Sequence, residues 1–428
     1  VFHDMDIVLF PDRNEIQVKD QIRLPRLKQL KFSLHAHLTI DRVEGGQVVS
    51  SPSGAMVRAP APLKHYVLTV APPAESVTLH YSGKINHAVM EPGQEYARSF
   101  SYTPGVISEE GVFLANSTAW YPQFENPMVS FRLNVSLPAG WDAISQGRLL
   151  NDRQDGQQRI VVWEEQHPQD DIYLVAGRYH RYVQSVAAVE ALVYLREADV
   201  ALAKKYLDVT AQYIGMYNKL LGIYPYAKFA LVENFWETGY GMPSFTLLGP
   251  KVIRFPFILH SSYPHEILHN YWGNGVFVDY AEGNWAEGLT AYLADHLVNE
   301  QRGKGEEYRR DVLQKYADFV GKERDFPVAR FVSRHSSSSE AVGYGKTMMF
   351  FHMLRQEIGD ADFIRALRRF YSQFKFKQAT FKDLEKIFSE VAERDFSAFF
   401  AQWIDRSGAP DLVIESAVAT RTAQGYKL

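Results

Sequence analysis

Residues 265–288 read HEILHNYWGNGVFVDYAEGNWAEG. Two histidines four apart share one face of a helix, so His265 and His269 can point both imidazoles at one ion. Neutral imidazole is a good zinc ligand, and the intervening Glu266 stands beside the metal without having to bind it. A glutamate there can take a proton from water that a metal has acidified. Such a site needs a third ligand, and the stretch offers Glu282 and Glu287. Glu287 falls inside the helical run WAEGLTAYLADHL, where a carboxylate is held rigidly. Glu282 lies in the polar run YAEGN beside Gly283, where a solvated loop carboxylate is the simpler reading. An accidental HExxH turns up in roughly a few per cent of chains this long, so the flanking pattern carries the argument. Ile267 and Leu268 can face a core, and a second helix is expected to begin near Trp285.

Around this motif the 428 residues divide by texture. The first 180 or so are β-rich: HYVLTV, SVTLHY, SFRLNVSL and QRIVVW alternate with turn chemistry such as PDRN, EGG and NDRQDG. This spacing predicts an antiparallel saddle or sandwich domain over residues 1–182. ALVYL reads as a strand, DVALAKKYLDVTAQYIGMYNKLLG as a helix closing on Gly222, and YPYAKFALVENF as strand again. From Tyr263 onward helices dominate, which sets a second domain at 183–410 and makes the whole chain α+β. SSSS at 336–339 reads as a polar loop. Residues 411–428 return to strand character, as the start of a C-terminal β segment that leads us to expect further chain.

Composition narrows the partners. Apolar residues make up 46% and charged residues 22% of the chain, ordinary values for a globular protein. A net charge of −4 with no Lys/Arg block argues against nucleic acid. No apolar run is long enough for a transmembrane segment. With no cysteine, disulfides, thiolate ligands and a cysteine nucleophile are excluded. An opening without Met favours a processed, exported product, periplasmic or extracellular, over a cytoplasmic one. Nothing in the pattern speaks to oligomeric state.

HEILHNYWGN followed by NWAEGLTAYL resembles the aminopeptidase N-like gluzincin family of zinc peptidases. The seventeen residues between His269 and Glu287 are one fewer than that family's usual spacing. A deletion between two helices is easily absorbed. QDDIYLVAGRYH resembles the end of the family's N-terminal β domain, and GIYPYAKFALVE the entry to its thermolysin-like catalytic domain. GYGK at 343–346 resembles a short tyrosine motif, which implies that Tyr344 donates a hydrogen bond to the oxyanion of the tetrahedral intermediate. FSAFFAQWIDRSGAPDL resembles the end of the catalytic region. The resemblance implies one Zn²⁺ per chain on His265, His269 and Glu287, with Glu266 as general base and peptides as substrates.

The family's exopeptidase motif, Gly-x-Met-Glu-Asn, is altered. In ETGYGMPSFTLLG, Gly241 and Met242 keep the register, but Pro243 and Ser244 stand where Glu and Asn are expected. Proline has no charge to pair with an α-ammonium. Glu237, or Glu233, is the upstream replacement to consider, and Asn116 in GVFLANSTAWYPQFENP is the candidate second anchor. Asn270 and Thr290 are polar positions close to the ligands. SFTLLG reads as an edge strand able to take substrate backbone by strand addition. Three readings stand: an aminopeptidase with an altered anchor, an endopeptidase or peptidase for unusual amino termini, and a catalytically silent binding protein. Retention of all three ligands, the base and the tyrosine weighs against the last.

Overall fold

The computed structural model describes residues 1–427 except 25–28, 53–59, 71–74, 92–100, 126–127, 322 and 410–415. A seven-stranded sheet carries the N-terminal domain, in the spatial order 148–155, 158–169, 129–138, 2–10, 15–23, 76–84, 38–44. Its strands alternate buried and exposed residues, as in Glu15–Arg23. That period of two lines one face with Met5, Ile7, Val18, Leu133 and Trp163, the domain's core. The expected antiparallel sheet contains one parallel pairing, Phe2–Phe10 against Val129–Pro138. The two strands lie far apart in sequence, so no hairpin constrains their direction.

The second domain is built on a five-stranded sheet ordered His180–Val186, Val189–Leu195, Lys228–Glu233, Phe245–Leu248 and Gly239–Met242. Its three central strands run parallel, and helix α1 (Val200–Leu220) makes the crossover between the first two of them. Lys228–Glu233 is buried along its whole length, as expected of a parallel strand covered on both sides. Phe113, Ile144 and Val175 of the N-terminal domain pack with Leu192, Ala230 and Leu247 of this sheet. A separate core holds α1 together with the later helices. Those helices are α2 (Ser262–Leu268), α3 (Trp285–Thr290), α4 (Leu297–Gln301), α5 (Gly305–Phe319), α6 (Ser337–Glu340), α7 (Thr347–Phe374), α8 (Phe381–Ala392) and α9 (Ser397–Ile404). A π-helical turn, Ala291–His296, joins α3 to α4, and another, Ala341–Lys346, joins α6 to α7.

SSSS does not form the expected loop. Ser336 caps α6: its Oγ accepts from Ser339 N at 3.1 Å, and Ser336 N donates to Ser339 Oγ at 2.9 Å. Serines favour a helix start because their hydroxyls reach the unpaired first-turn amides, so a polar run here begins the helix that leads to Tyr344. Of the expected C-terminal segment, 411–415 and 428 lie outside the described residues. Thr420–Thr422 pairs with Gly425–Lys427 as a hairpin. No helix among the described residues is long and apolar enough to cross a membrane.

Lys228 is a charged group at the domain junction, 2% exposed. Its Nζ donates to Ser244 Oγ at 2.8 Å and lies 4.8 Å from the centroid of the Trp163 ring. Burial brings its pKa down to about 7, against the pull of Glu165 and Glu190. The unfolded chain regains the ordinary lysine value of 10.5, so between these pH values unfolding takes up a proton and stability rises with pH. We expect urea unfolding from pH 7.5 to 9 to show this rise, up to about 1.4 kcal/mol per pH unit, lost in Lys228→Met. Parallel profiles for the two proteins would disprove it.

Candidate metal centre

Helix α2 turns the apolar side chains of Ile267 and Leu268 fully into the core, which leaves His265, Glu266 and His269 partly accessible above it. The chain then passes through Trp272, which packs on Trp285 with ring centroids 6.2 Å apart. The Trp285 indole donates to Ala379 O at 2.7 Å and pins the start of α3. Asn284 caps that start, its Oδ1 accepting from Ala286 N at 3.1 Å and Glu287 N at 3.4 Å. Glu287 thus sits in a capped first turn, as its helical setting predicted. Gly288 explains itself by packing: a Cβ there would lie 2.3 Å from Thr347 Cβ, so its absence lets α3 approach α7.

His265, His269 and Glu287 each offer one ligand atom, and the three atoms lie within 4.8 Å of one another. Glu287 Oε2 is 3.5 Å from His265 Nε2 and 3.3 Å from His269 Nε2. The other ring nitrogens are held from behind. His265 Nδ1 lies 3.2 Å from Asp295 Oδ2, and His269 Nδ1 lies 3.0 Å from the Trp272 carbonyl oxygen. Those bonds orient both rings with Nε2 toward the shared point, the usual arrangement of metal-ligating histidines. Glu287 Oε2 is buried without a hydrogen-bond partner, a costly condition that a cation would relieve. The donor set of two imidazoles and one carboxylate suits zinc.

Burial disfavours charge on all three groups, but their mutual attraction wins. Burial works to lower His265, yet Asp295, Glu287 and Glu266 hold it well above the usual histidine value, and Glu287 also raises His269. Glu287 is held well below the usual carboxylate range, against burial, by the two histidines.

Glu266 faces the edge strand Gly239–Met242; SFTLLG, expected at the edge, instead lies inside the sheet, with Phe245–Leu248 paired on one side to Lys228–Glu233 and on the other to Gly239–Met242. A Cβ on Gly241 would fall 2.3 Å from Glu266 Oε2, so only glycine lets the strand pass this close to the carboxylate. Tyr344 lies in the second π turn, its ring stacked on His265 at 6.2 Å and edge-on to Phe331 at 5.9 Å. Burial, then the charge of Glu287, holds its phenol well above the ordinary tyrosine value, so it stays a proton donor. Arg334, 5.5 Å from the ring centroid, opposes that shift.

The other candidates lie elsewhere. Glu282, in the turn Tyr280–Glu282, is solvated and ion-paired with Lys382 at 3.3 Å. Met242, Pro243 and Ser244 are buried. Ser244 adopts φ +67° in the turn between the two strands, and its N–H donates to Asn270 Oδ1 at 2.6 Å. Asn270 therefore braces that turn rather than reaching the ligands. Glu237 accepts from Lys251 N at 2.9 Å, and Glu233 from Arg196 N and Arg254. Asn116 is committed to Asp170 O, Tyr121 and Gln123. Thr290 is wholly buried with no partner for its hydroxyl among the described residues.

Residues 261–403 match the Peptidase family M1 domain. The segment that carries these side chains is thus similar to peptidase family M1. Among curated relatives, Aminopeptidase 2, mitochondrial, of Saccharomyces cerevisiae is 22% identical over 314 residues, 68% of this chain and 33% of the relative. Probable aminopeptidase 2 of Sulfurisphaera tokodaii is 19% identical over 300 residues, 65% of this chain and 38% of the relative. The chain thus spans about a third of the length of these relatives. An M1 zinc metallopeptidase from Deinococcus radiodurans shares the two-domain fold, with a TM-score of 0.70 at 15% identity over 97% of this chain and 96% of that one. A mutant of that protein has been crystallised with a Tyr-Ser-Ala substrate.

Asp295 is the residue of this candidate site that sequence reasoning missed. It lies eight positions after Glu287, and in a regular α-helix eight residues overshoot two turns. The wider π turn Ala291–His296 takes up the excess and returns residue 295 toward the ligand face. Asp295→Asn is expected to weaken divalent-metal affinity by about 10–100-fold, measured by chelator competition. Unchanged affinity would remove Asp295 from the site.

Proposed function

We propose that this chain is a zinc-dependent peptidase that hydrolyses peptide bonds, with aminopeptidase action as the first reading. The observation that carries it is the convergence of His265 Nε2, His269 Nε2 and Glu287 Oε2 on one point, with Glu287 Oε2 buried and otherwise unpartnered. Zinc held there supplies Lewis acidity to water and to the scissile carbonyl. Glu266 takes the proton of the attacking water and delivers it to the leaving amine. Tyr344, kept protonated by its surroundings, donates to the oxyanion. Gly239–Met242 is the outermost strand of its sheet, and an extended peptide pairing with it runs past Glu266.

The names of the relatives favour an aminopeptidase. A specific observation favours the second reading, action on internal bonds or on unusual amino termini: Pro243 and Ser244 close a buried turn and offer no carboxylate to an α-ammonium. Zinc-loaded protein should be assayed on matched peptides with free and acetylated amino termini. Preference for free termini supports the aminopeptidase. Equal rates replace it with the second reading, and cleavage of neither peptide sinks the peptidase altogether.

A further inference from the structure

Asn284 does more than cap α3. Its Oδ1 accepts from Ala286 N and Glu287 N, which occupies both lone pairs of that oxygen. The other end of the same amide, Nδ2, donates to Val332 O at 3.0 Å, and the Asn284 backbone N–H donates to Phe331 O at 2.7 Å. These partners fix the sense of the amide, since exchanging its oxygen and nitrogen would set donor against donor and acceptor against acceptor. Aspartate and serine cap a helix about as well as asparagine. Neither offers an amide that accepts from α3 at one end and donates to residue 332 at the other. Asn284 is 6% exposed, so a partner lost there leaves a buried group unsatisfied.

The segment held in this way leads to Tyr344. Phe331 is 1% exposed, and its ring lies edge-on to Tyr344 at 5.9 Å. The same ring presses on the residue before Tyr344: a Cβ on Gly343 would fall 2.2 Å from Phe331 Cε2. Three residues further on, the Arg334 guanidinium stands over the Tyr344 ring at 5.5 Å. Residues 331–334 therefore lie between the capped turn that carries Glu287 and the π turn that carries Tyr344. One side chain joins the two. Its oxygen is bonded to the amide of Glu287, and its nitrogen to the backbone that seats Phe331 against Tyr344.

We propose that Asn284 is a positioning residue that keeps Tyr344 in register with Glu287, acting through Phe331. The part of Tyr344 in catalysis rests on the peptidase function proposed above, whereas the tether between the two turns does not.

Asn284→Ser keeps the cap and removes the amide donor to Val332. In zinc-loaded protein, chelator competition should show unchanged metal affinity, because Glu287 and its capped turn remain. On the matched free and acetylated peptides, kcat should fall about 10–100-fold at unchanged KM, the effect of a small displacement of a catalytic group. Introduced into Tyr344→Phe, the same change should lower the residual kcat no further, since the group that it displaces is gone. A general loss of structure would lower both backgrounds alike. Hydrogen exchange gives a readout without turnover: the amides of residues 341–346 should exchange faster in Asn284→Ser, and those of 287–290 should not. Unchanged kcat, an equal loss in the Tyr344→Phe background, or zinc lost in step with kcat overturns the proposal. If the parent cleaves no peptide while exchange at 341–346 still rises in the variant, the peptidase falls and the tether stands. If the parent cleaves and the variant matches it in both kcat and exchange, the reverse holds.

Discussion

Glu287→Ala is expected to abolish zinc binding. Purified parent protein equilibrated with zinc and then dialysed is expected to retain about one ion per chain, as a site of three protein ligands does. In Glu287→Ala the two imidazoles remain, but the anionic ligand is gone. The loss should exceed the 100-fold or so that removal of an outer hydrogen-bonding partner can reach. Glu282→Ala is the matched control, since that carboxylate is solvated and paired with Lys382 on the surface. The comparison isolates the ligand from general loss of acidic charge, because both variants remove one glutamate from the same connection. Metal retained by Glu287→Ala, or lost by Glu282→Ala, would mean that the ion sits elsewhere. Because Asn284 caps the helix through the backbone amides of Ala286 and Glu287, the alanine variant keeps α3 intact. Circular dichroism should therefore be unchanged.

Glu266→Gln separates chemistry from binding. Glutamine matches the shape of glutamate and cannot act as a base at neutral pH, so kcat is expected to fall by about 10²–10⁴-fold. Metal content should not change, because Glu266 is outside the group of His265, His269 and Glu287. Zinc is to be measured on the same sample used for kinetics. Activity within tenfold of the parent would assign the base to another residue. Activity lost together with the metal would mean that Glu266 is a ligand. The edge strand makes the isosteric change necessary, since Gly241 leaves so little room beside the carboxylate that a bulkier residue would displace the strand.

The metal centre was unusually legible because its chemistry lies in local patterns. HExxH is one helical turn, and the turn Ser262–Leu268 carries it. The choice of Glu287 over Glu282 followed from a helix expected at Trp285, where α3 begins. The strands and helices quoted from the sequence largely appear, since periods of two and 3.6 reflect which face each element buries. SSSS was misread because a serine run suits a loop and a helix cap equally, and only the structure that follows distinguishes them. The parallel pairing of Phe2–Phe10 with Val129–Pro138 left no local trace at all.

The altered motif GYGMPSF shows the other limit. Its sequence revealed a missing charge but not where the remaining side chains point. Folded, Met242 and Ser244 turn into the domain junction, and Ser244 is tied to Lys228, Asn270 and Gly147. Gly241 alone is left beside Glu266.

By itself, then, the order of residues pointed to most of the helices and strands, to His265, His269 and Glu287 as candidate ligands and to Glu266 as the candidate base, because each is read from neighbours within a turn or two. Only the tertiary structure decided that Asp295 and the Trp272 carbonyl aim the imidazoles and that an edge strand passes Glu266. Asp295 lies 30 residues from the histidine it holds, and the edge strand belongs to a different element from Glu266. These relations are set by packing two domains and two π turns against each other, and no local period encodes that.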